Sequence, residues 1–322
     1  MDFYLRLPQL AILTGVKRHT LNARIKSSIP ENEIRRSKSN QIILPPEQVN
    51  TIIRSAFSDF DSKIIYIGNL KGGVGKTTLA YLITNACASL GLKTCGIDLD
   101  VQANFTSQFK QVSADQPVFY DLVNKSATLD EAIIKLAPTL DIIPSSLKNG
   151  LIEKALTVQP SKHQLNWLKE LCINDLRKKY DVIVVDTPPH LSTLNSVFSL
   201  CLGSNDNILI PVCAEEFSSM GVSMFLDDIA SIRESYEVSD DVNISIVMNK
   251  FFQNQKTNLD MLVKMGNQYE GMLSDSIIRD SAKIRDIINN KIPFSEFLRS
   301  REIYENINSL LRDTKVLKEE AQ

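Results

Sequence analysis

From about residue 63 onward, apolar and polar positions alternate in two rhythms. Short apolar runs at 64–68, 93–98, 140–144, 181–185, 207–212 and 243–248 have the length of buried strands. Between and after them lie stretches with helical spacing: 76–90, stopped by Gly91, then about 163–179, 220–236 and an amphipathic stretch from about 295 to 313. Strands that are apolar on both faces, separated by helices, predict an α/β fold, a mainly parallel sheet with helices on both faces. Ligands of such sheets bind beyond the carboxyl ends of the strands. The polar stretch Ser58-Asp59-Phe60-Asp61-Ser62 sets this region apart from a smaller one before it, which predicts domains at 1–58 and 59–322.

Composition narrows the class without naming a function. The chain has 322 residues, 43% hydrophobic and 23% charged, enough to build a substantial core. No apolar run is long enough to span a bilayer, and Met1-Asp2-Phe3-Tyr4 lacks the start of a secretory signal. Cys87, Cys95, Cys172, Cys201 and Cys213 form no Cys-x-x-Cys pair, which argues against a disulfide framework or zinc site and fits a cytoplasmic location. The net charge of −2 is unevenly spread: residues 1–56 hold nine Lys/Arg against four Asp/Glu. A basic module ahead of an acidic body directs attention to nucleic acid.

The strongest chemical signal follows the first strand. Four of only twelve glycines, Gly68, Gly72, Gly73 and Gly75, fall within eight residues, in Gly68-Asn69-Leu70-Lys71-Gly72-Gly73-Val74-Gly75-Lys76-Thr77-Thr78. Glycines let successive backbone N–H groups converge on an anion, and the following helix offers its positive end. In such a loop Lys76 reaches the β- and γ-phosphates and the Thr77 hydroxyl ligates Mg²⁺, so ATP and Mg²⁺ are the expected cofactors. Leu70 stands where the general pattern has its first glycine, and a second lysine, Lys71, opens the loop.

This lysine-first loop resembles the deviant Walker A motif of the ParA/MinD family of P-loop ATPases. Asp98-Leu99-Asp100-Val101-Gln102-Ala103-Asn104 is similar to that family's D-x-D-P-Q-x-N segment, with Val101 for the proline. Tyr180–Pro189 resembles its Walker B strand, ending at Asp186. The Ile208–Val212 strand, Val247-Met248-Asn249-Lys250 and Lys256-Thr257-Asn258-Leu259 continue the resemblance, which covers roughly residues 63–312. It implies an ATPase of slow intrinsic rate in which Lys71 contacts the partner subunit's nucleotide across a homodimer. It further implies that Asp100 positions the attacking water and that Asp98 and Asp186 serve the metal side. Gly72, Gly73, Val74, Gly75, Lys76, Thr77 and Thr78 then cradle the nucleotide, Asn249 meets the adenine, and Lys256 touches the DNA backbone.

In the basic module, Ala11, Gly15, Val16, Leu21 and Ile25 have the spacing of two helices crossing at a tight turn. The second helix would present Lys17, Arg18, His19, Thr20, Asn22 and Arg24 to DNA. Arg35, Arg36 and Lys38 read as the tip of a β-wing, with a closing helix at 46–57. The segment is similar to MerR-like winged helices, so a winged helix-turn-helix domain is expected ahead of the ATPase.

Together these readings point to a DNA-partition ATPase whose ATP-bound dimer binds DNA non-specifically. A ParB-like centromere-binding partner would stimulate hydrolysis and release, and the amino-terminal domain would autoregulate the operon. Two alternatives stay open: a nucleotide-sensing transcriptional regulator, and an ATPase that positions a protein cargo. The tail at 313–322 is too short and too acidic for the basic amphipathic membrane helix of MinD-like relatives, so no membrane partner is expected.

Overall fold

The computed structural model describes residues 3–57, 61–157, 168–190, 192–214, 219–290 and 300–317. The boundary expected near 58–60, the first part of the helix at 163–179 and the start of the helix at 295–313 lie outside them.

The amino-terminal region begins with β1 (Leu5–Arg6) and α1 (Leu7–Thr14), whose first turn carries Pro8 and whose end is set by Gly15 at φ 73°. A proline at the start and a left-handed glycine at the end are the expected helix punctuation. Next come α2 (Arg18–Ser28), the short strands β2 (Arg35–Arg36) and β3 (Ile42–Leu44), and α3 (Pro46–Ala56). The three strands form a small antiparallel sheet in the order β1-β3-β2.

The body runs β4 (Lys63–Ile67), α4 (Lys76–Ser89), β5 (Thr94–Asp98), α5 (Asn104–Phe109), α6 (Phe119–Val123), α7 (Leu129–Ala132), β6 (Ile134–Ala137), β7 (Leu140–Ile143) and α8 (Ile152–Thr157). After it come α9 (Asn174–Lys179), β8 (Val182–Asp186), α10 (Thr193–Ser199), β9 (Asn207–Val212), α11 (Ser219–Ser235) and β10 (Asn243–Phe251). The last are α12 (Lys256–Gln268), β11 (Leu273–Arg279), α13 (Ala282–Asn290) and α14 (Arg301–Asp313). Eight strands form one sheet in the order β11-β10-β9-β4-β8-β5-β7-β6, parallel except for β6 at its edge.

Side-chain alternation along the strands divides the core in two. Ile65, Ile67, Val182 and Val184 face α4 and α14, while Ile64, Tyr66, Ile183 and Val185 face the opposite layer, which includes Leu176 of α9 and Phe198 of α10. α14 buries Ile303, Tyr304, Ile307, Leu310 and Leu311, a stripe at helical period. That stripe continues into the amino-terminal region: Leu5, Leu10, Leu13, Leu21, Ile25 and Ile52 belong to the same cluster as Leu79 and Leu310. Polar contacts close the seam. Asn308 Nδ2 donates to Leu13 O at 2.7 Å, Asn50 Nδ2 donates to Gly91 O at 2.8 Å, and Arg54 pairs with Asp181 at 2.7 Å.

Candidate functional site

The phosphate loop leaves the carboxyl end of the central strand β4. Gly73 (φ 77°) and Gly75 (φ 94°) hold the left-handed backbone that turns the chain into α4. A side chain at Gly75 would collide with Asn249, whose Nδ2 donates to Val74 O at 2.8 Å. Val74 is buried, whereas Gly72 and the Lys71 side chain are exposed. Lys76 is buried and its Nζ donates to Lys71 O at 2.9 Å, across the loop it opens. Lys250 Nζ donates to Gly73 O at 2.6 Å, and Asn69 Oδ1 accepts from the Lys71 amide at 2.9 Å.

Register brings three carboxylates to the ends of adjacent strands. Asp98 of β5 stands opposite Asp186 of β8. Thr77 Oγ1 donates to Asp186 Oδ2 at 2.8 Å, and the buried Asp186 Oδ1 has no hydrogen-bond partner among the described residues. Burial and then the nearby Asp98 push the Asp186 carboxyl well above the ordinary range. Burial pushes Asp98 up to about 7, partly offset by the hydrogen bonds it accepts. Lys76 is shifted the other way by burial, with Asp186 and Asp100 opposing.

This crowding of acid groups around one lysine, with an orphaned carboxylate oxygen beside a threonine hydroxyl, fits a hard divalent cation. Mg²⁺ takes one or two protein oxygens and completes its shell with water and substrate phosphate. Thr77 and Asp186 are the residues placed to hold it. Both oxygens of Asp98 accept hydrogen bonds from the protein. Oδ1 accepts from the Asp100 amide at 3.0 Å, while Oδ2 accepts from the Thr106 amide and hydroxyl at 2.8 and 2.7 Å. Asp98 is therefore the anchor of the turn that presents Asp100. Ser145 Oγ donates to Asp100 O at 2.6 Å and secures that turn from the other side.

A cleft adjoins the loop, lined by Gly75, Thr78, Asn249, Lys250, Arg279 and Ser281 among others. Thr106, Ser145, Lys250 and Arg279 are the site residues that sequence reasoning did not single out. Lys250 had a signal in its place directly after Asn249, and Arg279 in Ile277-Ile278-Arg279, which resembles an I-P-R stretch of the same family.

The candidate DNA contacts do not gather in one place. Lys17, Arg18, His19, Arg35, Arg36 and Lys38 are exposed on the amino-terminal region, and Thr20, Asn22 and Arg24 are half-buried there. Arg35 lies over the Tyr4 ring and donates to its hydroxyl at 3.3 Å. Lys256 opens α12, past the carboxyl end of β10, whereas α3 sits against the starts of β5 and β8.

The sequence matches the AAA domain family over residues 62–246, more than half of the chain. It is 33% identical over 202 residues to an uncharacterized protein of Methanocaldococcus jannaschii, covering 60% of this chain and 75% of the relative. A virulence plasmid ParA family protein of Chlamydia psittaci is 27% identical, covering 76% of this chain and 92% of that protein. The chain is a ParA-type P-loop ATPase. Among solved structures, a putative plasmid partition protein of Borrelia burgdorferi bound to AMPPNP superposes on this ATPase with a TM-score of 0.62 at 25% identity, over 78% of this chain and 99% of that one. No helix among the described residues of the ATPase is long and apolar enough to cross a membrane.

Proposed function

We propose that this ATPase couples an ATP cycle to DNA partition. The pairing of Thr77 with Asp186 under a loop holding two lysines is the observation that carries the reading. Lys76 neutralises phosphate charge from within the loop, and Thr77 and Asp186 hold the cation. Mg²⁺, when bound, offsets charge on the β- and γ-phosphoryl oxygens. Asp100, held by Asp98, Thr106 and Ser145, orients the attacking water. Lys71 points to solvent, free to serve a second subunit's nucleotide in a homodimer. Asn249 and the cleft beside it receive the base.

In this cycle the ATP-bound dimer binds DNA through its backbone, and a ParB-like partner stimulates the hydrolysis that releases it. The amino-terminal region acts as a winged helix-turn-helix domain: α1 and α2 meet at Gly15, α2 presents Lys17, Arg18 and His19, and the β2–β3 hairpin presents Arg35, Arg36 and Lys38. Its operator binding would regulate the operon. The plasmid partition and plasmid ParA relatives support partition over other uses of the fold.

The test is equilibrium binding to random-sequence DNA with ATP, ADP or no nucleotide, at two salt concentrations. The expected result is tight binding with ATP only, falling steeply with salt through counterion release. Binding that ignores nucleotide, or that requires one operator sequence, would replace this reading with that of a nucleotide-sensing transcriptional regulator.

A further inference from the structure

Strand β10 ends irregularly beside the phosphate loop. Ile246 and Met248 pack in the core layer of Tyr66 and Phe198, while Val247 packs on the other side with Leu79 of α4, as alternation requires. Phe251, four residues after Val247, should share its face, yet it lies in the layer of Met248. The register explains the flip. From Met248 to Phe251 the strand advances three residues while its neighbour β11 advances two, from Ile277 to Arg279. One residue is inserted, a β-bulge, and within it Lys250 holds a left-handed backbone at φ 52°. Lysine carries a Cβ, so this conformation costs free energy where a glycine would adopt it freely.

The bulge aims two consecutive side chains at one loop. In a regular strand Asn249 and Lys250 would point to opposite faces. Here Asn249 Nδ2 donates to Val74 O at 2.8 Å and Lys250 Nζ donates to Gly73 O at 2.6 Å. Those two carbonyls are consecutive in the phosphate loop. A peptide unit is planar and trans, so a carbonyl held on one side sends the following N–H to the other. Pinning Gly73 O therefore turns the Val74 N–H away from β10, and pinning Val74 O does the same for the Gly75 N–H. A cation on the carbonyl also polarises that peptide, which strengthens the donor at its far end.

We infer that Lys250 is a positioning residue for nucleotide binding: the bulge in β10 places its ammonium behind the loop, where it fixes the Gly73–Val74 peptide with the N–H presented to an anion. The inference rests on reading the loop as the nucleotide site. Folding alone does not account for a lysine here. A glycine would close the same bulge without strain, and the ammonium is exposed, so its single bond to a carbonyl adds little to stability. The bond gains its value when phosphate charge arrives on the other side of the peptide that it polarises. Lys250 thus acts through the loop, whereas Lys76 acts on the phosphates from within it.

Thermal melts of the full chain without nucleotide, set beside calorimetric titrations with ADP and with ATP in Mg²⁺, separate positioning from structural support. Lys250→Gly relieves the left-handed strain, so its melting temperature stays level or rises, while its affinity for both nucleotides falls about tenfold, the loss of a charge-assisted hydrogen bond. Lys250→Met loses affinity to the same extent, and Lys250→Arg, which keeps a cation behind the loop, restores most of it. The losses for ADP and ATP are equal, because Lys250 holds the loop rather than the γ-phosphate. A loss confined to ATP would make Lys250 a direct phosphate ligand and overturn the inference. Unchanged affinity in Lys250→Gly overturns it as well, as does a fall in melting temperature that accounts for the fall in affinity. A parent chain that binds neither nucleotide would remove the phosphate-loop reading and this inference with it, whereas a parent that binds both leaves the variants to decide on Lys250 alone.

Discussion

Lys76 is an ammonium that the protein buries and then surrounds with acid groups. Burial disfavours its charge, and only Asp186 and Asp100 restore it. Its hydrogen bond to Lys71 O holds the loop in shape, and a phosphate offers a stronger acceptor than that carbonyl. Lys76→Ala therefore weakens ATP by roughly a hundredfold, in line with loss of a charged hydrogen bond in a desolvated site. Calorimetric titration measures it, and unaltered affinity would reject the loop as the nucleotide site. Lys71 has the opposite setting, an exposed side chain with its backbone fixed by Asn69. Its removal leaves nucleotide affinity within about twofold but cuts turnover by roughly 10³, the scale of a finger residue acting from a partner. Sedimentation of Lys71→Ala with ATP should give monomers, and an unchanged ATP-dependent dimer would remove the action in trans. Asp100→Ala keeps the cavity but loses the group that orients water, so single-turnover hydrolysis falls about 10²-fold or more while ATP stays bound. Wild-type turnover in that variant would exclude Asp100 from the chemistry.

At the scale of elements, α4 connects the nucleotide loop to the amino-terminal region. It starts at Lys76, and just past its end Gly91 adopts φ 76°. A Cβ there would strike the Pro46 carbonyl and lie 2.7 Å from Asn50 Cβ, so the helix end and α3 fit only around a glycine. Gly91→Val combines left-handed strain of about 1–2 kcal/mol with overpacking of about 1–3 kcal/mol. It should lower the melting temperature and open α3 to proteolysis first. Equal protection of α3 in variant and parent would show that the seam tolerates displacement. The same helix was fully legible in the sequence, as were β4, β5, β8 and β9, because buried parallel strands are unbroken apolar runs and α4 is bounded by glycines. β6 and β11 were not. Both are edge strands, and β11 carries exposed Asp275 within Leu273–Arg279, which dilutes the apolar signal. α12 was not predicted either: Lys256–Gln268 offers no side-chain cap and little burial beyond Asn258 and Met265. At the site, the loop lysines stood out through glycine density, and the three aspartates through the resemblance of their segments to the family's motifs. That Asp98 turns inward to Thr106 could not be read, since it depends on how α5 folds back over β5.

For the whole molecule, the decisive feature is that one hydrophobic cluster crosses the expected domain boundary. Leu10, Leu13, Leu21 and Ile52 pack in the same core as Leu79, Ile307, Leu310 and Leu311, and Asn308 and Arg312 of α14 donate to the last carbonyls of α1. A module tethered by a flexible linker would keep its own core and leave the body's stability alone. Here the apolar stripe of α14 has the amino-terminal region as one of its covers, so removing residues 1–57 uncovers it. Each large side chain returned to water costs about 1.5–3 kcal/mol. Several together should lower the melting temperature of a chain starting at residue 61 by roughly 10 °C or more and make it prone to aggregate. The intact chain should unfold in one cooperative step, with probes in α2 and in the sheet reporting the same midpoint, and ATP with Mg²⁺ should raise both midpoints together. Two separated transitions, with nucleotide moving only the later one, would mean that the shared cluster does not couple the regions. ATP bound at one end of α4 would then have no packed route to the surface that carries Lys17, Arg18 and Arg35.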